Sequence, residues 1–95
     1  MTSPHILVVD DEPDIRSLLK EILEDEGFDI NVAENASDAR AARRLRRPDL
    51  ILLDIWMPDT DGISLLKEWS DDGHVDVPVI MMSGHGTVET AVEAT

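Results

Sequence analysis

Ninety-five residues with 42% hydrophobic content accommodate one domain with a single core, and zero cysteines exclude disulfides, thiol catalysis and thiolate metal sites. A formal charge of −13 argues against direct nucleic-acid binding, because phosphate contacts need clustered Lys and Arg. No apolar run approaches the roughly 18 residues of a membrane span and the N-terminus lacks signal-peptide features, so a soluble, cytoplasmic protein without a membrane partner is expected.

The first strand pattern is His5 to Val9, HILVV, an apolar, β-branched run that ends in Asp10, Asp11 and Glu12. Pro13 suits the first turn of a helix. Ile15, Leu18, Leu19, Ile22 and Leu23 follow at i, i+3, i+4, i+7 and i+8, and Gly27 is the stop. Residues 28–33 alternate, with Phe28, Ile30 and Val32 against Asp29 and Asn31, which predicts a less buried strand near a sheet edge. Asn35 or Ser37 then caps an Ala- and Arg-rich helix running to about Arg46, with Ala39, Ala42 and Leu45 on its inner face, until Pro48 ends it. Five of the eight basic residues (Arg40, Arg43, Arg44, Arg46 and Arg47) fall here. They read as the solvated face of that helix, with cations near its negative dipole end; a partner-docking patch is the alternative.

Leu50, Ile51, Leu52 and Leu53 form an unbroken apolar run, the pattern of a strand covered on both faces of a parallel sheet, and Asp54 follows directly. Pro58 and Gly62 supply turn chemistry for the exit that solvates Asp54. Ile63 to Ser70 reads as a helix with Ile63, Leu66 and either Trp69 or Leu65 facing inward; Asp71, Asp72 and Gly73 end it. Pro78 opens VIMMS, a fourth strand whose exit is Ser83, Gly84, His85 and Gly86, and Thr87 begins another helical pattern with Val88, Ala91, Val92 and Thr95. The order β-α-β-α-β-α-β-α implies an α/β fold, a doubly wound parallel sheet with right-handed crossovers and helices on both faces. A pattern that stops inside a helix is expected to be C-terminally incomplete.

In such sheets ligands bind at the carboxyl edge of the strands, where strand order reverses. Asp10, Asp11 and Asp54 are delivered to that edge by two strand ends. Two unit charges about 4 Å apart repel by roughly 4 kcal/mol at an effective dielectric of 20, so the three carboxylates call for a counter-ion. Mg²⁺ prefers oxygen ligands, takes one or two carboxylates and keeps open positions for a substrate phosphate. Ser83 adds a hydroxyl at the same edge, and Asp54 becomes a plausible nucleophile toward phosphorus.

At these residues the chain resembles the receiver domain of two-component response regulators. The resemblance rests on LVVDDEP at 7–13, LILLDIWMPDTDG at 50–62 and PVIMMSGHG at 78–86, in that order; SGHGTVETAVEAT is most similar to receivers of the NtrC and NtrX type. It implies the flavodoxin-like receiver fold with strand order 2-1-3-4-5. It also implies that Asp54 accepts a phosphoryl group from a phosphohistidine on a sensor histidine kinase. Asp10, Asp11 and Asp54, with the backbone carbonyl of Trp56, would hold Mg²⁺. Ser83 would hydrogen-bond the phosphoryl oxygen, and the change would pass to an output that is transcriptional in similar proteins. The resemblance further implies a phosphotransfer acceptor rather than a turnover enzyme, one that assists its own phosphorylation and dephosphorylation.

The departure from the family lies at the end, where a fifth strand, its switch aromatic and the lysine after it have no counterpart; Lys20 and Lys67 match neither position. Without that lysine, metal binding is expected to persist more readily than phosphorylation. The edge of PVIMM is expected to be open. If about five side chains lose burial worth roughly 1.5 to 3 kcal/mol each, the deficit equals the whole stability of a typical domain, so self-association or strand exchange of this chain is expected, the alternative being that the intact protein continues beyond Thr95.

Two rival functions are a phosphorylation-independent interaction module and a small aspartyl-nucleophile phosphohydrolase; the latter normally has a second carboxylate two residues on, where Trp56 stands. An EF-hand spacing over Asp59, Asp61, Gly62 and Glu68 fails because Met57 and Pro58 hold its first positions and a strand precedes it. His5, His74 and His85 carry no metal spacing, and Met57, Met81 and Met82 read as core filler.

Overall fold

The computed structural model describes residues 3–55, 57, 61–71 and 77–82, together with the backbone of 88–90. Eight elements follow one another: β1 (His5–Val9), α1 (Pro13–Asp25), β2 (Asp29–Ala33), α2 (Ala36–Leu45), β3 (Leu50–Asp54), α3 (Gly62–Asp71), β4 (Val79–Met82) and β5 (Val88–Thr90). They build one sheet in the order β2-β1-β3-β4-β5. The first four strands are parallel, and β5 runs antiparallel to β4. The doubly wound arrangement of four parallel strands with helices between them is the one expected.

The two unbroken apolar runs become β1 and β3, both inner strands of the sheet, because only a strand covered on both faces needs apolar side chains in both directions. Leu7, Val9, Ile51 and Leu53 face one layer, packed with Ala36 and Ala39 of α2 and Leu65, Leu66 and Trp69 of α3. Ile6 and Val8 face the other, with Leu19 and Leu23 of α1 and with Leu50 and Leu52. The alternating segment 29–33 is the outer strand β2, as its pattern predicts.

Helix ends follow their local chemistry. Glu24 and Leu23 carbonyls accept from Gly27 and Phe28 N–H at 3.0 and 3.1 Å, with Gly27 at φ 94°, a Schellman close that only a residue free of a Cβ adopts at low cost. Asn35 rather than Ser37 caps α2, its side chain accepting from the Asp38 N–H at 2.8 Å. Asp61 does the same for α3, accepting from the Ser64 N–H at 2.8 Å.

Several expectations are corrected. The helix expected from Thr87 is a strand over Val88–Thr90, paired Met82 with Val88 and Ile80 with Thr90. The unpaired N–H and C=O groups of β4 offer this short, β-branched segment a template, whereas an isolated helix of its length carries a nucleation cost. The edge of β4 is therefore covered along this stretch rather than open. Thr87 and 91–95 lie outside the described residues. Leu45, expected inside, is 87% exposed because α2 ends there, and Ile63 is 53% exposed while both Leu65 and Trp69 are buried. Val32 is exposed at the sheet edge, where α1 covers Ile30 instead, and Ala33 on the opposite face is buried near α2. The stripe on α1 is only half used, with Leu18 and Ile22 about half exposed. Among the described residues no helix is long and apolar enough to cross a membrane.

Candidate functional site

Strand register builds the site. Val9 pairs with Leu53 across the parallel β1–β3 ladder, so the next residue of each strand, Asp10 and Asp54, emerges at the same level on neighbouring chains. Carboxylate oxygens of Asp10, Asp11 and Asp54 all lie within 4.8 Å of one another. Asp54 is the last residue of β3, opposite Met82 of β4, and is buried at 2% exposure, contrary to the solvated position expected of it. The reason is the start of α3, whose Gly62 comes so close that a Cβ there would stand 2.2 Å from the Asp54 carbonyl oxygen. The Gly62 N–H donates to the Ile55 carbonyl at 2.7 Å, and the Ile55 N–H donates to the Met82 carbonyl at 2.9 Å.

Asp10 is buried too, and only Asp11 is exposed. The Asp10 N–H donates to the Ala33 carbonyl at 3.0 Å, its carboxylate accepts from the Glu12 N–H at 2.9 Å, and its carbonyl accepts from Arg16 Nη1 at 2.7 Å. Burial pushes the Asp10 carboxyl above its ordinary value of 3.8; the Glu12 N–H opposes this, the charges of Asp11 and Glu12 add to it, and the Arg16 cation opposes it.

Three hard oxygen donors gathered at one spot fit a divalent cation such as Mg²⁺. Oxygens on one Mg²⁺ at about 2.1 Å stand no more than about 4.2 Å apart. The observed grouping, within 4.8 Å, is a small movement from that, as expected of carboxylates repelling each other by roughly 3 kcal/mol per pair at an effective dielectric of 20.

Asp10, Asp11 and Asp54 are thus brought together as expected, whereas Ser83 and Trp56 lie outside the described residues. Two contributors were missed. Arg16 sits six residues after Asp10, a spacing whose only sequence signal is the backward slant of helical side chains. Gly62, a turn residue by the sequence pattern, is the first residue of α3 and is pressed against the end of β3. The rejected calcium spacing stays rejected, since Asp61 caps α3 and Glu68 pairs with Arg40 at 2.7 Å. The basic cluster is largely engaged within the fold: Arg40 binds Glu68, Arg43 stacks 4.8 Å over Trp69 and Arg46 pairs with Asp29. Lys20 pairs with Glu24 along α1 at 3.6 Å.

The family model for the response regulator receiver domain matches residues 6–95. The nitrogen assimilation regulatory protein NtrX of Azorhizobium caulinodans is 52% identical over 91 residues, covering 94% of this chain and 20% of the relative. The phosphate regulon transcriptional regulatory protein PhoB of Pseudomonas aeruginosa is 39% identical over 94 residues, 98% of this chain and 41% of that protein. The crystal structure of the response regulator TrrA from Thermotoga maritima, in complex with Mg²⁺-BeF, superposes with a TM-score of 0.78 at 40% identity, over 86% of this chain and 72% of that one. This chain spans about a fifth of the length of the NtrX relative. The family model over residues 6–95 and relatives of this identity place the chain in the response regulator receiver domain family of two-component signalling.

Proposed function

We propose that Asp54 is the phosphoacceptor of this receiver and takes its phosphoryl group from a phosphohistidine of a sensor histidine kinase. In the transfer the phosphorus–nitrogen bond breaks, a bond from an Asp54 carboxylate oxygen to phosphorus forms, and the imidazole leaves with the electron pair. Asp10, Asp11, Asp54 and the carbonyl of Trp56 would hold Mg²⁺, and Ser83 would hydrogen-bond a phosphoryl oxygen. Bound Mg²⁺ supplies positive charge that offsets the carboxylates and the transferred oxygens.

The observation that carries this reading is the convergence of three carboxylates from two strand ends within 4.8 Å, with Asp54 innermost at the end of the central strand. Burial suits the acceptor role, since charge interactions act over a lower dielectric there and water has less access. The Mg²⁺-BeF complex of TrrA and the regulatory names of NtrX and PhoB support, for this chain, a Mg²⁺-dependent acceptor coupled to a transcriptional output. The chain would then act as a switch, altering its own phosphorylation state without turning over a free substrate.

The test exposes the full-length protein to Mg²⁺ with beryllofluoride, following backbone amide shifts. Shifts centred on Asp11, Asp54 and Ile55 that need both Mg²⁺ and beryllofluoride, and vanish in Asp54→Asn, support the proposal. An unresponsive acidic edge favours the phosphorylation-independent module, and steady release of phosphate from a free phosphomonoester favours the phosphohydrolase.

A further inference from the structure

The acid edge contains a cation that the proposed phosphotransfer does not use. Arg16 stands in the second turn of α1, where side chains slant back toward the helix N-terminus, and its Nη1 donates to the Asp10 carbonyl at 2.7 Å. The same short turn is closed on its other side by the Glu12 N–H donating to the Asp10 carboxylate at 2.9 Å. The Arg16 N–H, in turn, donates to the Glu12 carbonyl at 3.1 Å. Asp10 is thereby fixed through its N–H, its carbonyl and its side chain, and Asp11 is carried between two fixed neighbours.

We infer that Arg16 is a positioning residue for the metal site: its guanidinium clamps the Asp10 carbonyl so that the exposed Asp11 carboxylate is held toward Asp10 and Asp54. This rests on the reading of the acid cluster as the Mg²⁺ site. The physical point of interest is that Arg16 acts on the site in two opposed ways. As a charge near the cluster it repels a dication and relieves the carboxylates, so that removing it by charge alone would tighten Mg²⁺ binding. As a clamp it keeps the ligands assembled at no cost to the incoming ion, so that removing it would loosen binding. The charge-assisted hydrogen bond at 2.7 Å, donated to the main chain of a ligand residue rather than to its carboxylate, favours the clamp.

The experiment titrates Mg²⁺ into ¹⁵N-labelled full-length protein carrying Arg16→Met or Arg16→Lys, beside the native protein. Dissociation constants come from the Asp11 and Glu12 amide shifts, and hydrogen exchange of the Glu12 N–H is measured without metal. Arg16→Met is expected to weaken Mg²⁺ binding about tenfold, the lower end for losing a partner that orients a metal ligand, and to speed Glu12 exchange before any metal is added. Arg16→Lys, which keeps the charge and a single donor, is expected to recover part of both. Binding in Arg16→Met as tight as native or tighter overturns the clamp, as does a lysine variant no better than methionine. If Arg16→Met does not fold, the lysine variant decides: weaker Mg²⁺ binding with faster Glu12 exchange supports the clamp, and native values for both overturn it. Native protein without Mg²⁺-dependent shifts overturns the receiver site and this inference together, whereas native Mg²⁺ binding that survives Arg16→Met overturns only the role of Arg16.

Discussion

Replacing Gly62 by alanine probes how tightly α3 is pressed onto β3, the strand that ends in Asp54. The new Cβ would stand 2.2 Å from the Asp54 carbonyl oxygen and 3.0 Å from both the Asp54 carbonyl carbon and Met81 Cε. The Met81 methyl can swing aside. The Asp54 carbonyl belongs to a strand end and cannot, so α3 and β3 must part by about 1.2 Å to restore the 3.4 Å of ordinary contact. Alanine in an unobstructed helical position would add about 0.5 to 1 kcal/mol of stability, while overpacking typically removes about 1 to 3 kcal/mol. The clash is against backbone, so the net effect is a loss of about 1 to 3 kcal/mol, or a fall in Tm of about 4 to 8 °C for each kcal/mol in a domain of this size. The strain falls on the segment that carries Asp54, because the Gly62 N–H is bonded to the Ile55 carbonyl, and Mg²⁺ affinity should fall with it by about tenfold for each 1.4 kcal/mol of misplacement. Gly27→Ala is the control. It strains a left-handed position at φ 94° with nothing within 4 Å, costing about 1 to 2 kcal/mol without touching the acid edge. Thermal unfolding and Mg²⁺ titration of both variants separate the cases. A Gly62→Ala protein as stable as native, with unchanged Mg²⁺ affinity, would refute the close-approach argument.

Three further outcomes follow from the same contacts. Asp10→Asn should stabilise the metal-free protein while weakening Mg²⁺ binding: with its carboxyl raised in the folded state, protonated Asp10 is compatible with the fold below 3.8 and that stability is lost as the buried group ionises with pH rising through the folded value, so the gain in Tm should be large at neutral pH and vanish near pH 3. Asn35→Ala removes the N-cap of α2 and should cost about 1 kcal/mol by denaturant unfolding with an unchanged m-value. A double-mutant cycle on Arg40 and Glu68 should give about 0.2 to 1 kcal/mol of coupling that shrinks with salt. Its pH dependence runs opposite to that of Asp10, since the Arg40 hydrogen bond holds Glu68 below its ordinary 4.5 and the coupling is lost only as pH falls through that lowered value.

The parts of the fold legible in the sequence are those set by burial on two faces. The runs at His5 to Val9 and Leu50 to Leu53 contain no alternation and therefore had to be inner strands, and acids directly after both runs had to share an edge once the strands were parallel neighbours. Burial of individual helix residues was less legible, because periodicity gives a face but not how much of it a neighbour covers; Leu45, Ile63, Leu18 and Ile22 all carry apolar side chains that the fold leaves largely open. The segment Val88 to Thr90 shows the limit of local pattern, since its helical spacing yields to an available strand edge. At the site, residue type and order revealed the carboxylates, whereas the roles of Arg16 and Gly62 depend on reach and approach between elements, which spacing alone does not encode.

The central claim is that one aspartate, held at the innermost position of an acidic edge, carries phosphate transiently. Its most direct measurement is the mass spectrum of full-length protein incubated with acetyl phosphate and Mg²⁺, then digested to locate the label. The account predicts a single hydroxylamine-sensitive phosphoryl group on Asp54, absent when Mg²⁺ is chelated and absent in Asp54→Asn. Labelling of another residue, or equal labelling of Asp54 without a divalent ion, would contradict it.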